Sequence, residues 1–165
     1  KGVEELFEAA EKIKLKYPKV VFDIVGFSDE DYSEQIEKLS KENTICFWNV
    51  QQNVKPFYKE CSAMVLPSYH EGMANVLLEA SSMGRPVIAS KIPGCQETFD
   101  EGITGFGIEA KNSNSLYETL EKFILLEESE KADMGKAARR KMEREFDRNK
   151  VVNAYTKEIR SIIER

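Results

Sequence analysis

The stretch from residue 67 to residue 80, which reads PSYHEGMANVLLEA, holds the residue types best suited to chemistry. Glu71 and Glu79 lie eight residues apart. On a continuous helix that spacing separates them by about 80° around the axis and about 12 Å along it. The two carboxylates therefore cannot share one proton as a catalytic dyad, but they can hold the two ends of an elongated ligand.

A helix is predicted from Met73 to Met83, and its beginning supplies a second kind of binding group. The backbone N–H groups from Gly72 to Asn75 are expected to be free, and free amides at a helix N-terminus attract phosphate. Gly72 has no Cβ, so a ligand can approach the chain closely there. The alternative is structural: Glu71 then only complements the helix dipole, and Glu79 is a surface residue.

Other side chains are weaker candidates. His70 is the single histidine and is open to a catalytic role, although a solvated loop residue fits its position better. Trp48 can stack on a nucleobase or pack in the core. Cys95 lies near the same region and is open to a role as a reactive thiol, but no neighbouring cation is evident. The sequence shows no cluster with the spacing of metal ligands.

Short apolar strands alternate with helices along the chain, which predicts an α/β fold with a doubly wound parallel sheet. Ligands of such sheets bind outside the carboxyl ends of the strands. We therefore expect the site in the loops after Val25, Trp48, Leu66 and Ala89. The predicted strands are 20–26, 44–48, 63–66, 86–89 and 105–108, and the predicted helices are 2–16, 29–41, 54–61, 73–83, 113–126, 129–145 and 148–163.

The length of 165 residues predicts one domain, and a net charge of −5 argues against a globally basic nucleic-acid binder. Residues 130–165 nevertheless carry eleven basic and seven acidic side chains. We interpret that basic end as a solvated helix face, with an anionic partner or a membrane surface as the alternative. Three widely spaced cysteines, with no apolar run long enough for a membrane span, favour a reducing, cytoplasmic location.

A series of short motifs runs through residues 64–105. In this order and spacing, the motifs resemble the C-terminal, nucleotide-sugar-binding domain of retaining glycosyltransferases with the GT-B fold. The resemblance is greatest to the bacterial capsule and lipopolysaccharide type, glycosyl transferases group 1. It implies that residues 1–165 form a single Rossmann-like domain, the C-terminal half of a two-domain enzyme. The motifs are Pro67-Ser68, Glu71-Gly72, Glu79-Ala80, Gly84-Arg85-Pro86-Val87-Ile88-Ala89, Pro93-Gly94-Cys95-Gln96-Glu97 and Gly102-x-x-Gly105.

The resemblance also implies a role for each matched residue. Glu71 would contact hydroxyls of the donor sugar, and Glu79 would hydrogen-bond the ribose hydroxyls of the nucleotide. Lys1 would neutralise the diphosphate leaving group, and the base would lie against the backbone at Val50. Glu71 and Lys1 are thus the implied catalytic residues. The implied donor contacts are Lys1, Val50, Ser68, Glu71, Gly72, Met73, Ala74, Asn75 and Glu79.

The activity that the resemblance implies is retaining transfer from a nucleoside-diphosphate sugar, best matched by a UDP-sugar. The implied acceptor is a saccharide or a polyprenyl-linked saccharide of the cell surface, held by an N-terminal domain that this sequence lacks. We expect no cofactor or metal, no nucleic-acid partner, and no turnover by this domain alone. Association of the full protein with the inner face of the cytoplasmic membrane is a further implied property.

Two departures from the family pattern bear on these expectations. Ala74 stands where many relatives have a second glycine, and the arginine that would pair with Lys1 is absent. Three alternatives also remain. The chain could belong to a GT-B-type epimerase of nucleotide sugars, could be a nucleotide-binding or interaction module without turnover, or could be an unrelated doubly wound binding domain.

The resemblance makes one further prediction about the sheet. If Lys1 follows directly on the first strand of the family's domain, that strand would lie at the centre of a 3-2-1-4-5-6 sheet. Its absence would leave the strands 20–25 and 44–48 as one piece beside a second piece led by 63–66. We expect another segment, a neighbouring chain or direct re-pairing of strands to fill that gap. Residues 147–165 are predicted to form a terminal helix that crosses toward the N-terminal domain.

Overall fold

The alternation of strands and helices is confirmed in the computed structural model, which describes residues 1–27 and 31–163. The strands are β1 (Phe22–Val25), β2 (Ile45–Trp48), β3 (Met64–Leu66), β4 (Val87–Ser90) and β5 (Gly105–Ile108). The helices are α1 (Val3–Lys16), α2 (Ser33–Lys41), α3 (Lys55–Glu60), α4 (Asn75–Ser82), α5 (Ser113–Ile124), α6 (Glu128–Glu145) and α7 (Arg148–Ile163), with a 3-10 turn at Gln96–Thr98.

The strands are parallel and form two sheets. β1 pairs with β2, with Phe22 opposite Ile45, while β4 lies between β3 and β5. The predicted division into a two-stranded piece and a piece led by β3 is therefore confirmed. Direct re-pairing of strands is the part of the prediction that is wrong, because β1 and β3 do not pair in the described part of the chain. Filling of the gap by another segment or chain stays a prediction.

Helices cover both faces of the three-stranded sheet, as a doubly wound fold requires. On one face, Ile13 of α1 and Leu116 of α5 pack with Ile88 of β4, and all three side chains are fully buried. On the other face, Leu77 of α4 packs with Ala89 of β4. Because the helices are packed on the sheet in this way, the ends of the loops at its carboxyl edge are held in fixed positions.

Two helices begin two or more residues later than the sequence predicts. α2 begins at Ser33 and α4 at Asn75, two residues after Met73. Ahead of α2, the carboxylate of Asp31 accepts the N–H of Ser33 at 3.1 Å, so the chain there forms a side-chain turn and not a helical one. The predicted acidic opening of that helix also included residues 29 and 30, which lie outside the described residues.

Several basic side chains of residues 130–165 are paired within the domain. The side chain of Lys141 is buried and donates to Asp100 at 2.9 Å and to Glu145 at 2.8 Å. Arg139 pairs with Glu143 on the same helix. These contacts favour the interpretation of the basic end as a structural and solvated helix face.

The predicted terminal helix is present as α7. It has no buried residue, and apolar side chains such as Val151, Tyr155, Ile159 and Ile162 are exposed along it. Its crossing toward an N-terminal domain stays a prediction. In the described ranges, no helix combines the length and the apolar character needed to span a membrane.

Candidate functional site

The loop between β3 and α4 forms the centre of the candidate site, at the carboxyl end of β3 where the fold predicts a ligand. The beginning of α1 lies directly against this loop. Gly2 has φ +71°, and a Cβ at this position would lie 2.1 Å from the carbonyl oxygen of Pro67. Only glycine permits that contact, and the contact brings the neighbouring Lys1 to the loop.

Glu71 receives two hydrogen bonds on one carboxylate oxygen. Lys1 Nζ and Ser68 Oγ both lie 2.7 Å from Glu71 Oε1. The side chain of Glu71 is 13 % exposed and that of Lys1 is 67 % exposed. Burial by itself would raise the pKa of Glu71, but the two hydrogen bonds and the charge of Lys1 outweigh it and lower that pKa. Glu71 is therefore a fixed, ionised acceptor at neutral pH.

The lowered pKa of Glu71 predicts how stability depends on pH. A carboxyl whose pKa is lower in the folded than in the unfolded chain stabilises the fold above its ordinary value, here 4.5, and loses that contribution as the pH falls through the lowered pKa. The difference in Tm between wild type and Glu71→Gln should therefore be present at neutral pH and shrink in acid. Thermal unfolding over a pH series checks this, and a difference that does not change with pH would contradict it.

The predicted direct contact of Ser68 with the nucleotide-sugar donor does not fit its surroundings. Its side chain is fully buried, and its hydroxyl is committed to Glu71. Ser68 thus orients the Glu71 carboxylate from the buried side, while Lys1 contacts it from the solvent side. The structure brings these three predicted site residues together as one hydrogen-bonded group.

Gly94 supports the loop from the side of β4. It has φ +86°, its N–H donates to Glu97 Oε2 at 2.8 Å, and its carbonyl accepts the N–H of Ala74 at 2.9 Å. A Cβ at Gly94 would lie 2.5 Å from the carbonyl oxygen of Glu71. The sequence identified Gly94 as part of a family motif, and its close approach to the Glu71 backbone is seen only in the structure.

The prediction of four free amides from Gly72 to Asn75 is wrong for two of them. Ala74 N–H donates to the carbonyl of Gly94, and Asn75 N–H donates to that of Met73 at 2.9 Å. The amides of Gly72 and Met73 have no hydrogen-bond partner in the described part of the chain. A Cβ at Gly72 would meet nothing within 4 Å. Two free amides therefore border open space.

The side chain of Ala74, one of the implied contacts of the nucleotide-sugar donor, is buried. Its side chain is 2 % exposed and packs in the apolar cluster beneath α4 with Leu77 and Ala89. The methyl group that replaces the second glycine of many relatives therefore points into the core. It does not narrow the open side of the loop.

Glu79 projects from α4 and holds a hydrogen bond that the sequence did not reveal. Tyr58 Oη donates to Glu79 Oε2 at 3.0 Å. Burial, followed by this hydrogen bond and the charge of Glu79, raises the pKa of Tyr58. From sequence, a tyrosine in a short helix is ordinarily assigned to the core. The contact with Glu79 can be identified only once the structure shows that Tyr58 of α3 lies beside α4. Glu71 lies before α4, so the spacing calculated for a continuous helix does not apply to the pair.

The predicted base region lies at the end of β2. Val50 is 65 % exposed and Trp48 is 45 % exposed. The indole N–H of Trp48 donates to Asp23 at 2.7 Å, and its ring meets that of Phe57 edge to face at 5.4 Å. Trp48 is thus held at the surface by defined contacts and is neither free nor a core residue. Trp48 is the last residue of β2, in the two-stranded sheet, and Val50 lies in the loop that follows it.

The interpretation of Cys95 as a reactive thiol is wrong. Its side chain is fully buried. Burial, together with the nearby charges of Glu71 and Glu97, raises the pKa of this thiol to about 11. Since the thiolate is the reactive form, Cys95 is an unreactive packing residue.

The different burial of the cysteines predicts which thiols react in the folded protein. Cys46 is exposed, whereas Cys95 is buried with a raised pKa. A maleimide at neutral pH should label Cys46 rapidly and Cys95 only after unfolding, which peptide mass spectrometry can follow. The Cys46→Ser variant should lose the rapid labelling. Labelling of native Cys95 at the rate of Cys46 would contradict this account.

The position of His70 and the arrangement of possible metal ligands complete the description of the site. His70 is exposed on the loop, which fits a solvated residue. In the ranges that the structure describes, no group of three or more histidine, cysteine or acidic residues is arranged to hold a metal ion.

The family model of glycosyl transferases group 1 matches residues 1–141. An N,N'-diacetylbacillosaminyl-diphospho-undecaprenol alpha-1,3-N-acetylgalactosaminyltransferase of Campylobacter jejuni is 29 % identical over 158 residues, covering 95 % of this chain and 40 % of that protein. The capsular polysaccharide biosynthesis glycosyltransferase CapM of Staphylococcus aureus is 28 % identical, covering 88 % of this chain and 39 % of that protein. The chain thus spans about two fifths of the length of these relatives.

Solved structures share the fold. The C-terminal domain of the group 1 glycosyl transferase LpcC from Francisella tularensis has a TM-score of 0.78 at 22 % identity, covering 88 % of this chain and 80 % of that one. Anabaena HepE, crystallised with UDP-glucose, has a TM-score of 0.85 at 24 % identity, covering 98 % of this chain and 45 % of that one. Both confirm a Rossmann-like domain of the type that forms the C-terminal half of GT-B enzymes.

Proposed function

This chain belongs to the glycosyl transferases group 1 as a C-terminal GT-B domain, and from that premise we propose that it binds the UDP-sugar donor at the loop between β3 and α4. One observation carries the proposal. The free amides of Gly72 and Met73 lie on the same loop as the Glu71 carboxylate, which Lys1 contacts from the solvent side. Amides and an ammonium group suit a diphosphate, and a carboxylate suits sugar hydroxyls.

Lys1 has a direct electrostatic role in this proposal. Without donor, its ammonium group pairs with Glu71. A bound diphosphate offers a second anionic partner beside the same group, so Lys1 bridges the leaving group and Glu71. Charge that develops on the departing diphosphate is then stabilised by Lys1 and by the two free amides. We expect no metal requirement, because these groups already supply positive charge where it develops.

The remaining contacts extend the donor along the edge of the fold. Glu79 would accept hydrogen bonds from the ribose, and the backbone at Val50 would face the base. The exposure of both residues supports this arrangement. The presence of UDP-glucose in HepE, which has the same fold, supports a uridine nucleotide.

The proposed reaction of the whole protein is transfer of the sugar with retention of its anomeric configuration. In such transfer the leaving phosphate takes up the proton of the acceptor hydroxyl. A lipid-linked saccharide is our proposed acceptor, because the Campylobacter relative is named for a diphospho-undecaprenol acceptor. The acceptor would be held by a further domain at the inner face of the cytoplasmic membrane, so this domain alone should bind the donor without turnover.

Isothermal titration of the folded chain with UDP, UDP-glucose, GDP and ADP tests the proposal. We expect saturable binding of UDP and UDP-glucose, weaker binding of GDP and ADP, and no change when EDTA is added. Circular dichroism provides the control that the chain is folded. Absence of UDP binding at millimolar concentration by a folded chain would overturn the proposal, and loss of binding with EDTA would overturn its metal-free part.

A further inference from the structure

Tyr58 lies outside the motifs on which the family resemblance rests and has no part in the function proposed above. We propose that Tyr58 is a positioning residue that fixes the Glu79 carboxylate in the orientation that reads the ribose hydroxyls of the nucleotide. This inference rests on the proposed function, since it needs a nucleotide at the site. It concerns the sugar of the nucleotide and not the sugar that is transferred.

The contact joins two helices on the same side of the three-stranded sheet. Tyr58 belongs to α3 and Glu79 to α4, and the phenol donates to Glu79 Oε2 at 3.0 Å. Glu79 is otherwise exposed, and no other hydrogen bond to its carboxylate is formed within the described residues. Tyr58 is therefore the group that decides where this carboxylate points.

The phenol ring itself cannot turn away. Tyr58 is 7 % exposed, and its ring packs in the apolar cluster that includes Leu77 and Ala80 of α4. The end of α3 is held separately, because the guanidinium of Arg85 donates to the carbonyl of Lys59. The Tyr58 hydroxyl is thus held in place by the packing of its ring and by the contact of Arg85 with the end of α3.

The chemistry of the contact suits a vicinal diol. The phenol occupies one lone pair of Glu79 Oε2 and leaves Oε1 and the second lone pair of Oε2 as acceptors. Two neighbouring ribose hydroxyls can donate to these positions without any rearrangement of the side chain. A glutamate held in its binding orientation loses less conformational freedom on binding than a free one, so the ribose is bound more tightly.

A purely structural role for the hydrogen bond predicts a different result. If Tyr58 only ties α3 to α4, its loss would weaken the binding of every nucleotide to a similar extent. If it positions Glu79, its loss affects only those ligands that carry ribose hydroxyls. The comparison of UDP with 2′,3′-dideoxy-UDP separates the two roles.

The test is titration of wild type and Tyr58→Phe with both nucleotides. We expect the substitution to weaken UDP about tenfold and to change 2′,3′-dideoxy-UDP less than about twofold, because only the ribose contacts depend on Glu79. Tyr117→Phe is the matched control, since Tyr117 Oη likewise donates to a glutamate, Glu121, at 2.9 Å on α5. That variant should bind both ligands as wild type does.

A double-mutant cycle provides the second measurement. In a Glu79→Ala background, Tyr58→Phe should have no further effect on UDP binding, because the group that it positions is gone. A further loss, or an equal loss for both nucleotides in the single variant, would overturn the inference. If Tyr58→Phe binds UDP as tightly as wild type does, and prefers UDP over 2′,3′-dideoxy-UDP to the same extent, the inference about Tyr58 is overturned and the proposed function is not. If the wild-type chain does not bind UDP, the proposed function is overturned as well.

Discussion

Gly94→Ala is expected to lower the free energy of unfolding by about 3 kcal/mol, because it combines backbone strain with a steric conflict. Gly94 has φ +86°, and an added Cβ would lie 2.5 Å from the carbonyl oxygen of Glu71 and 2.7 Å from that of Gly72. These oxygens belong to the backbone and cannot move without displacing the loop. Chemical denaturation of the variant and the wild type measures the effect.

Gly72→Ala is the matched control for this result. A Cβ at Gly72 would have nothing within 4 Å, and its φ lies outside the positive range. Its stability should stay within about 0.5 kcal/mol of wild type, as for other unconstrained surface changes. If the two alanine variants are equally stable, the account of Gly94 as the support of this loop is wrong.

The second large effect concerns the division of roles between the two glutamates. Glu79→Ala is expected to weaken UDP binding about tenfold or more, because it removes a charged acceptor from the ribose. Glu71→Ala is expected to retain or strengthen UDP binding, because Glu71 is the group that pairs with Lys1 and its removal frees that ammonium group for the diphosphate. The same variant should lose the added affinity of UDP-glucose over UDP.

Calorimetric titration of each variant with UDP and UDP-glucose measures these effects. Glu118→Ala provides a control, because Glu118 is an exposed glutamate of α5 away from the loop. It should bind both ligands as wild type does. Equal weakening of UDP by Glu71→Ala and Glu79→Ala would contradict the division of roles.

The sequence predicted the strands well because their signal is local. Each strand is a short apolar run between turn residues, as at 63–66 and 86–89, and the structure moves the ends of these two by at most one residue. The parallel order predicted a site at the carboxyl ends of four strands, and the residue types of 67–80 pointed to the loop after β3 among them. The separation into two sheets followed from the family resemblance.

The details of the site were less accessible, because they depend on contacts between distant segments. The free amides at Ala74 and Asn75 were predicted from a helix that begins at Met73, but the carbonyl of Gly94 takes the Ala74 N–H and delays the helix to Asn75. The burial of Ser68 and the contact of Tyr58 with Glu79 likewise arise from packing. A pattern of residue types cannot specify which backbone group another loop will occupy.

The most direct test of the central claim is to locate the bound nucleotide by NMR. In a titration of ¹⁵N-labelled chain with UDP, the account predicts the largest amide shifts at Gly72 and Met73, whose N–H groups are free, with smaller shifts at Ala74 and Asn75, whose N–H groups are already hydrogen-bonded. Shifts confined to another part of the molecule, such as the exposed helix α7, would contradict it.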